Sequence, residues 1–202
     1  MATKERLDWK TGFLALASTL LLMVDYYFTL LPDKHIQRFL LFFIIPAALI
    51  ALIWRQSPIG FGLRLGDWRW GVLAAALMAL ASAPLLWWFG SMDPQVAGYY
   101  SNPLGWQAIS EIAIEMFAWE FFLRGWLLFG YGRRFGVNAI WMQMVPFALY
   151  HIGKPGAEAL STIFTGVLFG WIAWRSRSVI YPILIHCFIS IFILMVTNGM
   201  LG

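Results

Sequence analysis

Charge is the scarcest feature of this chain. Only 12% of its 202 residues are charged, where soluble domains carry about 25%. Hydrophobic residues make up 61%, and mean hydropathy is +0.73. That balance excludes an ordinary soluble domain and indicates a polytopic membrane protein. A single cysteine, Cys187, excludes an internal disulfide; it lies in an apolar run, where a thiol packs as a small hydrophobe. No Cys/His metal-finger spacing and no H-E-x-x-H occur, and no serine stands in a G-x-S-x-G context. The chain shows no repeat, low-complexity tract or soluble domain. The net charge of +4 comes mostly from Lys and Arg between apolar runs, which is an orientation signal and no argument for nucleic acid.

What the chain has in abundance is apolar segments. Seven are expected as spanning helices, near residues 11–31, 36–54, 70–89, 106–129, 137–151, 155–174 and 179–200. The N-terminal MATKERLDWK looks like a signal-peptide n-region, but the apolar run after it is long and lacks a small-residue cleavage site, so it reads as a retained first span. The fold class is therefore an all-α transmembrane bundle, treated as one membrane domain over residues 1–202.

Basic residues orient it. With the N-terminus cytoplasmic (Lys4, Arg6, Lys10), the same side collects Arg55, Arg64, Arg69, Arg133, Arg134, Arg175 and Arg177, while the other keeps Lys34, Arg38 and Lys154. The RQSPIGFGLRLGDWRWG stretch suits an interfacial loop on the basic side, and GSMDPQVAGYYSNPLG suits the opposite one. One tension remains. His151 falls at the outer end of the fifth segment, whereas Glu120 and His186 lie deeper in theirs, so that segment is displaced or tilted, or an eighth partial helix alters the count.

The fourth segment, EIAIEMFAWEFFLRGWLLFG, places Glu111, Glu115, Glu120 and Arg124 in one apolar run. An ionised group near the middle of a span costs about 2.5–3.5 kcal/mol on insertion scales, so such groups face the protein interior and pair. Glu120 and Arg124, four apart, share a helix face as an acid-before-base pair. The fifth segment ends in Phe147-Ala-Leu-Tyr-His151, and the seventh contains His186-Cys-Phe-Ile-Ser190, with His and Ser on one face. The sixth opens with Pro155 and carries Glu158 in its first turn, where an acid also serves the helix N-terminus. Glu111 and Glu115 can simply face an aqueous vestibule, and Asp25 can pair with a Lys or Arg elsewhere. Taken singly, each of these polar groups has a structural explanation. A carboxylate, two His, a Ser and an Arg on separate spans nevertheless converge only in a polar cavity, which is costly unless used. Glu with His can deprotonate a water, and a second His with a hydroxyl can serve an oxyanion, which suffices for amide hydrolysis. The Glu120/His151/His186 set can also ligate a zinc ion; without H-E-x-x-H, the reading with no cofactor is preferred.

Glu120-Phe-Phe-Leu-Arg124-Gly125, Phe147-x-x-x-His151 and His186-x-x-x-Ser190, in that order on three segments, resemble the E-E-x-x-x-R, F-x-x-x-H and H-x-x-x-N motifs of the CPBP family. This family of intramembrane glutamic endopeptidases is also called Abi or CAAX-protease-like. The resemblance covers roughly residues 106–202 as a catalytic core and leaves residues 1–105 as spans of unassigned role. It implies Glu120 and His151 as the water-activating pair, His186 and Ser190 as oxyanion donors, and Arg124 as organiser of the glutamate. Two positions depart from the pattern. Trp119 stands where the family has its first glutamate, and Ser190 replaces Asn. The resemblance therefore implies a divergent branch in which Glu120 has taken the base role or Glu158 or Glu115 helps, or else a member that has lost activity. The expectation is an intramembrane peptidase of a bacterial-type cytoplasmic membrane, with lipid and a membrane-associated peptide or protein as its partners. The alternatives are an inactive relative that binds such a peptide and a small proton- or ion-coupled transporter using the same polar groups.

Overall fold

A computed structural model describes residues 8–201; Lys4 and Arg6 of the charge count lie outside them. Among the described residues the chain is all-helical. The seven long helices are α1 Trp9–Tyr27, α2 Lys34–Trp54, α3 Trp68–Met92, α4 over residues 106–135, α5 Ala139–Tyr150, α6 Gly156–Ser176 and α7 Ile180–Thr197. A one-turn helix, Pro94–Tyr99, sits between α3 and α4. Four helices, α2, α3, α6 and α7, are long and apolar enough to cross a membrane. Each of the seven expected segments contains one helix, and the loops supply their own stops. Asp8, Asp33 and Asp67 cap α1, α2 and α3 by accepting from backbone N–H groups one turn in.

α4 is the axis of the bundle. Its middle is buried on every side, from Phe121 to Leu128, as expected of a helix that is apolar all round. The turns from Phe121 to Phe129 are π-type and wider than α, and they begin immediately after Glu120. Wide turns of this kind are uncommon and frequently mark functional positions. α2 contains two shorter π stretches on either side of Pro46, whose ring and missing N–H disturb regular α turns. α1 lies against α4 where Trp126 Nε1 donates to Ser18 Oγ at 2.8 Å.

α3 packs along α7 through two glycines, Gly71 and Gly90, its only buried residues. A Cβ at Gly71 would stand 2.2 Å from the Tyr181 ring, and one at Gly90 2.7 Å from Val196. Small residues let helices approach closely where lipid supplies no hydrophobic drive. The α2–α3 loop is less superficial than its polar composition indicates. Phe61 is fully buried, Gly62 accepts from Val179 N at 2.9 Å, and Asp67 N donates to Ser176 O at 2.8 Å.

α5 explains the depth mismatch of His151. It has 12 residues, which at 1.5 Å per residue is about 18 Å, well short of a bilayer core of about 30 Å. It therefore ends inside the bundle, and His151 caps it there.

Gly66 sits at φ +56°, with Ser176 O only 1.9 Å from where a Cβ would be. Gly66→Ala and Gly71→Ala should each cost roughly 1–3 kcal/mol, read as a lowered thermal unfolding midpoint in detergent. Gly12→Ala, which meets nothing within 4 Å, should leave the midpoint unchanged or raise it.

Candidate active site

Glu120 and Arg124 are both fully buried at the centre of α4. Arg124 Nη1 donates to Glu120 Oε1 at 3.0 Å, a charge-assisted bond within one helix. The same oxygen lies 2.7 Å from His186 Nδ1 on α7. The Arg124-paired carboxylate oxygen accepts, so Nδ1 is the donor and Nε2 of His186 is left for another partner. Glu120 Oε2 and the Nε and Nη2 of Arg124 are buried without a partner. The guanidinium lies over two rings, 4.4 Å from the Phe147 centroid and 5.2 Å from that of Phe169. Those contacts offset part of its desolvation.

Beside this pair is a cavity of about 210 Å³, room for roughly seven waters at about 30 Å³ each. His151, Glu158, His186 and Ser190 all line it. The two phenyl rings that cover Arg124 also form part of its wall, and of the three bonded residues Glu120, Arg124 and His186 it is His186 that lines the cavity. His151 Nδ1 donates to Phe147 O at 2.7 Å, which likewise leaves Nε2 as its basic nitrogen. The Phe147 ring touches both imidazoles, with centroids 4.6 Å from His151 and 6.1 Å from His186. Ser190, one turn beyond His186, has only the weak acceptor Met116 Sδ at 3.7 Å, so its hydroxyl is free for another partner.

Glu158 occupies the polar end of the same cavity. Its Oε1 accepts from Lys154 Nζ and from Tyr100 OH, both at 2.7 Å. Burial pushes the Tyr100 phenol well above its usual range. Burial works against the charge of Lys154, but Tyr100 and Glu158 outweigh it and hold the amine protonated. Tyr100 was not signalled by the sequence, since a tyrosine in a polar loop carries no spacing of its own. α3 lends an apolar stretch of wall through Leu85, Leu86 and Phe89, and α6 adds Ser161, Thr162 and Thr165. Leu85 is 60% exposed, so the cavity opens sideways between α3 and α6. One span of the unassigned first half thus forms part of the site.

Other polar residues lie elsewhere. Trp119, at the position of the missing glutamate, is buried away from the cavity, stacked on Phe42 at 4.6 Å and edge-on to Tyr150 at 4.4 Å. Glu115 is bound by Arg38 and by His35 Nδ1, the latter at 2.7 Å, and Glu111 accepts from Gln107 on the protein surface. Asp25 pairs with Lys34 and Arg38 of α2. Among the described residues, no three His, Cys, Asp or Glu side chains gather to hold a metal ion.

Residues 100–192 match a family model described as Type II CAAX prenyl endopeptidase Rce1-like. The matched stretch contains Glu120, Arg124, His151, Glu158, His186 and Ser190, and it agrees with the CPBP, CAAX-protease-like motifs. Comparison with curated proteins and with solved structures returned no match. The four membrane-length helices indicate an integral membrane protein, and a little under half of the chain is similar to the prenyl endopeptidase family.

Removing the guanidinium alone strands a buried carboxylate, so Arg124→Met should cost about 3–5 kcal/mol of stability. Adding Glu120→Gln should restore much of that loss. Thermal unfolding of the single and double variants in detergent checks both statements.

Proposed function

We propose that this protein is a metal-independent intramembrane endopeptidase of the CPBP type, in which Glu120 works through His186. One observation carries the proposal: a buried, Arg-paired carboxylate is hydrogen-bonded to an imidazole whose basic nitrogen is left to a cavity shared with a second histidine. This is the orienting logic of a carboxylate–histidine pair, in which the acid fixes the tautomer and stabilises the imidazolium that forms.

Water between His186 Nε2 and His151 Nε2 attacks the peptide carbonyl, and His186 takes its proton. Glu120, held in place by Arg124, stabilises the imidazolium that forms. The Ser190 hydroxyl donates to the oxyanion, and His186 returns the proton to the departing amine as the C–N bond breaks. Glu158 and Lys154, at the polar end, hold the main chain of the substrate. The sideways opening beside Leu85 admits a membrane-associated peptide or protein segment.

The topology we infer has all seven helices inserted and the N-terminus cytoplasmic, in a bacterial-type inner membrane. Loop contacts support it. Arg133 reaches Gln56 at 2.5 Å, Arg64 reaches Arg177 O at 3.1 Å, and Arg175 reaches Asp67 at 3.2 Å. The basic loops therefore share one end of the bundle, whereas Tyr100, Lys154 and Asn198 meet at the other through Glu158, Thr197 and Asn102.

The orientation of Trp119 favours a second reading, in which the same cavity binds a membrane peptide without cutting it. The two separate on variants that keep the fold. Under the peptidase reading, Glu120→Gln and His186→Gln lower cleavage about 10³–10⁴-fold, and Ser190→Ala lowers it about 10²-fold. The measurement is the set of new peptide termini in membranes from cells expressing wild type or variant. Termini that persist unchanged with Glu120→Gln would exclude the mechanism, and full biological function in that variant would support the binding reading.

A further inference from the structure

Behind α5, on the side away from the cavity, lies a second buried polar cluster that the chemistry above does not use. Its centre is Asp25 of α1, 1% exposed. Oδ1 receives Lys34 Nζ at 3.0 Å and Gln37 Nε2 at 3.1 Å. Oδ2 receives Arg38 Nε at 3.2 Å and the Tyr150 hydroxyl. Arg38 also binds Glu115 of α4 and lies 3.4 Å from Tyr150 OH. One carboxylate thus ties α1 and α2 to α5, and Arg38 extends the tie to α4.

Two of these attachments end next to the active site. Tyr150 precedes His151 in the chain, and its ring stands edge-on to Trp119, 4.4 Å away at 88°; Trp119 in turn precedes Glu120. Phe42 of α2 closes the aromatic stack from behind, parallel to Trp119 at 5°. The backbones carrying the two site residues therefore meet through Tyr150 and Trp119, and the hydroxyl of Tyr150 is fixed by Asp25. His151 ends the short α5, where its N–H donates to Ala148 O at 3.1 Å and its ring to Phe147 O at 2.7 Å, both within α5 itself. The Tyr150 hydroxyl is what links that last turn to α1 and α2.

We propose that Tyr150 is a positioning residue, anchored by Asp25 and braced on Trp119, which sets the placement of His151 relative to the Glu120–His186 pair. In this reading Trp119 does not vacate a catalytic position: it replaces a glutamate with a structural brace. The inference rests on the hydrolytic reading for its meaning, but its test does not. A displacement of about 1 Å at a reacting group is sufficient to cost roughly 10²-fold in rate.

The test uses full-length protein with ¹⁵N-labelled histidine in nanodiscs. With three histidines in the chain, single replacements assign every ring. Tyr150→Phe keeps the aromatic brace and loses the anchor; Asp25→Asn weakens the anchor from the other side. Both should move the His151 ring signals and its titration midpoint. Trp119→Phe should keep them near wild type, whereas Trp119→Ala should move them. Gly66→Ala, which destabilises the opposite end of the bundle, is the control for general loosening and should leave His151 unmoved. Where cleavage is measurable, Tyr150→Phe lowers kcat about tenfold or more with KM within about twofold. His151 signals that stay fixed in Tyr150→Phe, or that move equally in Gly66→Ala, overturn the inference. If Glu120→Gln still cleaves while Tyr150→Phe moves His151, the hydrolytic mechanism fails and the positioning role stands.

Discussion

The structure depends on one buried carboxylate that cannot be left alone. Glu120 has no access to solvent, and an ionised group there is tolerable only because Arg124 from its own helix and His186 from α7 converge on the same oxygen. That knot dictates the packing around it. α7 must lie where His186 reaches α4, and Phe147 of α5 and Phe169 of α6 must cover the guanidinium. The cavity is what remains between these helices and α3, which packs along α7 and meets α6 through Trp70 and Trp171. A polar pair that would destabilise a lipid-facing helix instead fixes the arrangement of five helices.

The two polar clusters divide the work. The Asp25 cluster has four side-chain partners around one carboxylate, which marks it as a fastening. The Glu120 cluster leaves one carboxylate oxygen and two guanidinium nitrogens unmatched, and its His186 borders a space large enough for several waters. Incomplete satisfaction of buried polar atoms is costly, and proteins retain it chiefly at working sites. The wide π turns after Glu120 fit the same division, since they fall where α4 carries its charged residue past tightly packed aromatic neighbours.

Much of this was legible in the chain. Hydropathy located all seven helices, because lipid-facing surfaces such as those of α2 and α3 must be continuously apolar. The four-residue spacing of Glu120 and Arg124 gave their pairing, and the rarity of histidine in apolar runs singled out His151 and His186. The sequence motif could not reveal which histidine Glu120 binds, since that depends on where α7 crosses α4. Nor did it show that α5 is a half-length helix, because its apolar run continues smoothly towards His151 and only the turn through Gly153 ends it. The Asp25–Tyr150 tie joins residues 125 positions apart and leaves no local pattern. The role of Trp119 is visible only once Phe42 and Tyr150 are seen on either side of it.

The central claim is that Glu120 orients His186 through Nδ1, and the proton on that nitrogen tests it most directly. In ¹H–¹⁵N spectra of histidine-labelled protein in nanodiscs at neutral pH, His186 should appear as the Nδ1–H tautomer, with a strongly downfield proton that moves upfield in Glu120→Gln. An Nε2–H tautomer for His186, or an Nδ1 proton indifferent to Glu120→Gln, would contradict the account and sever the carboxylate from the cavity.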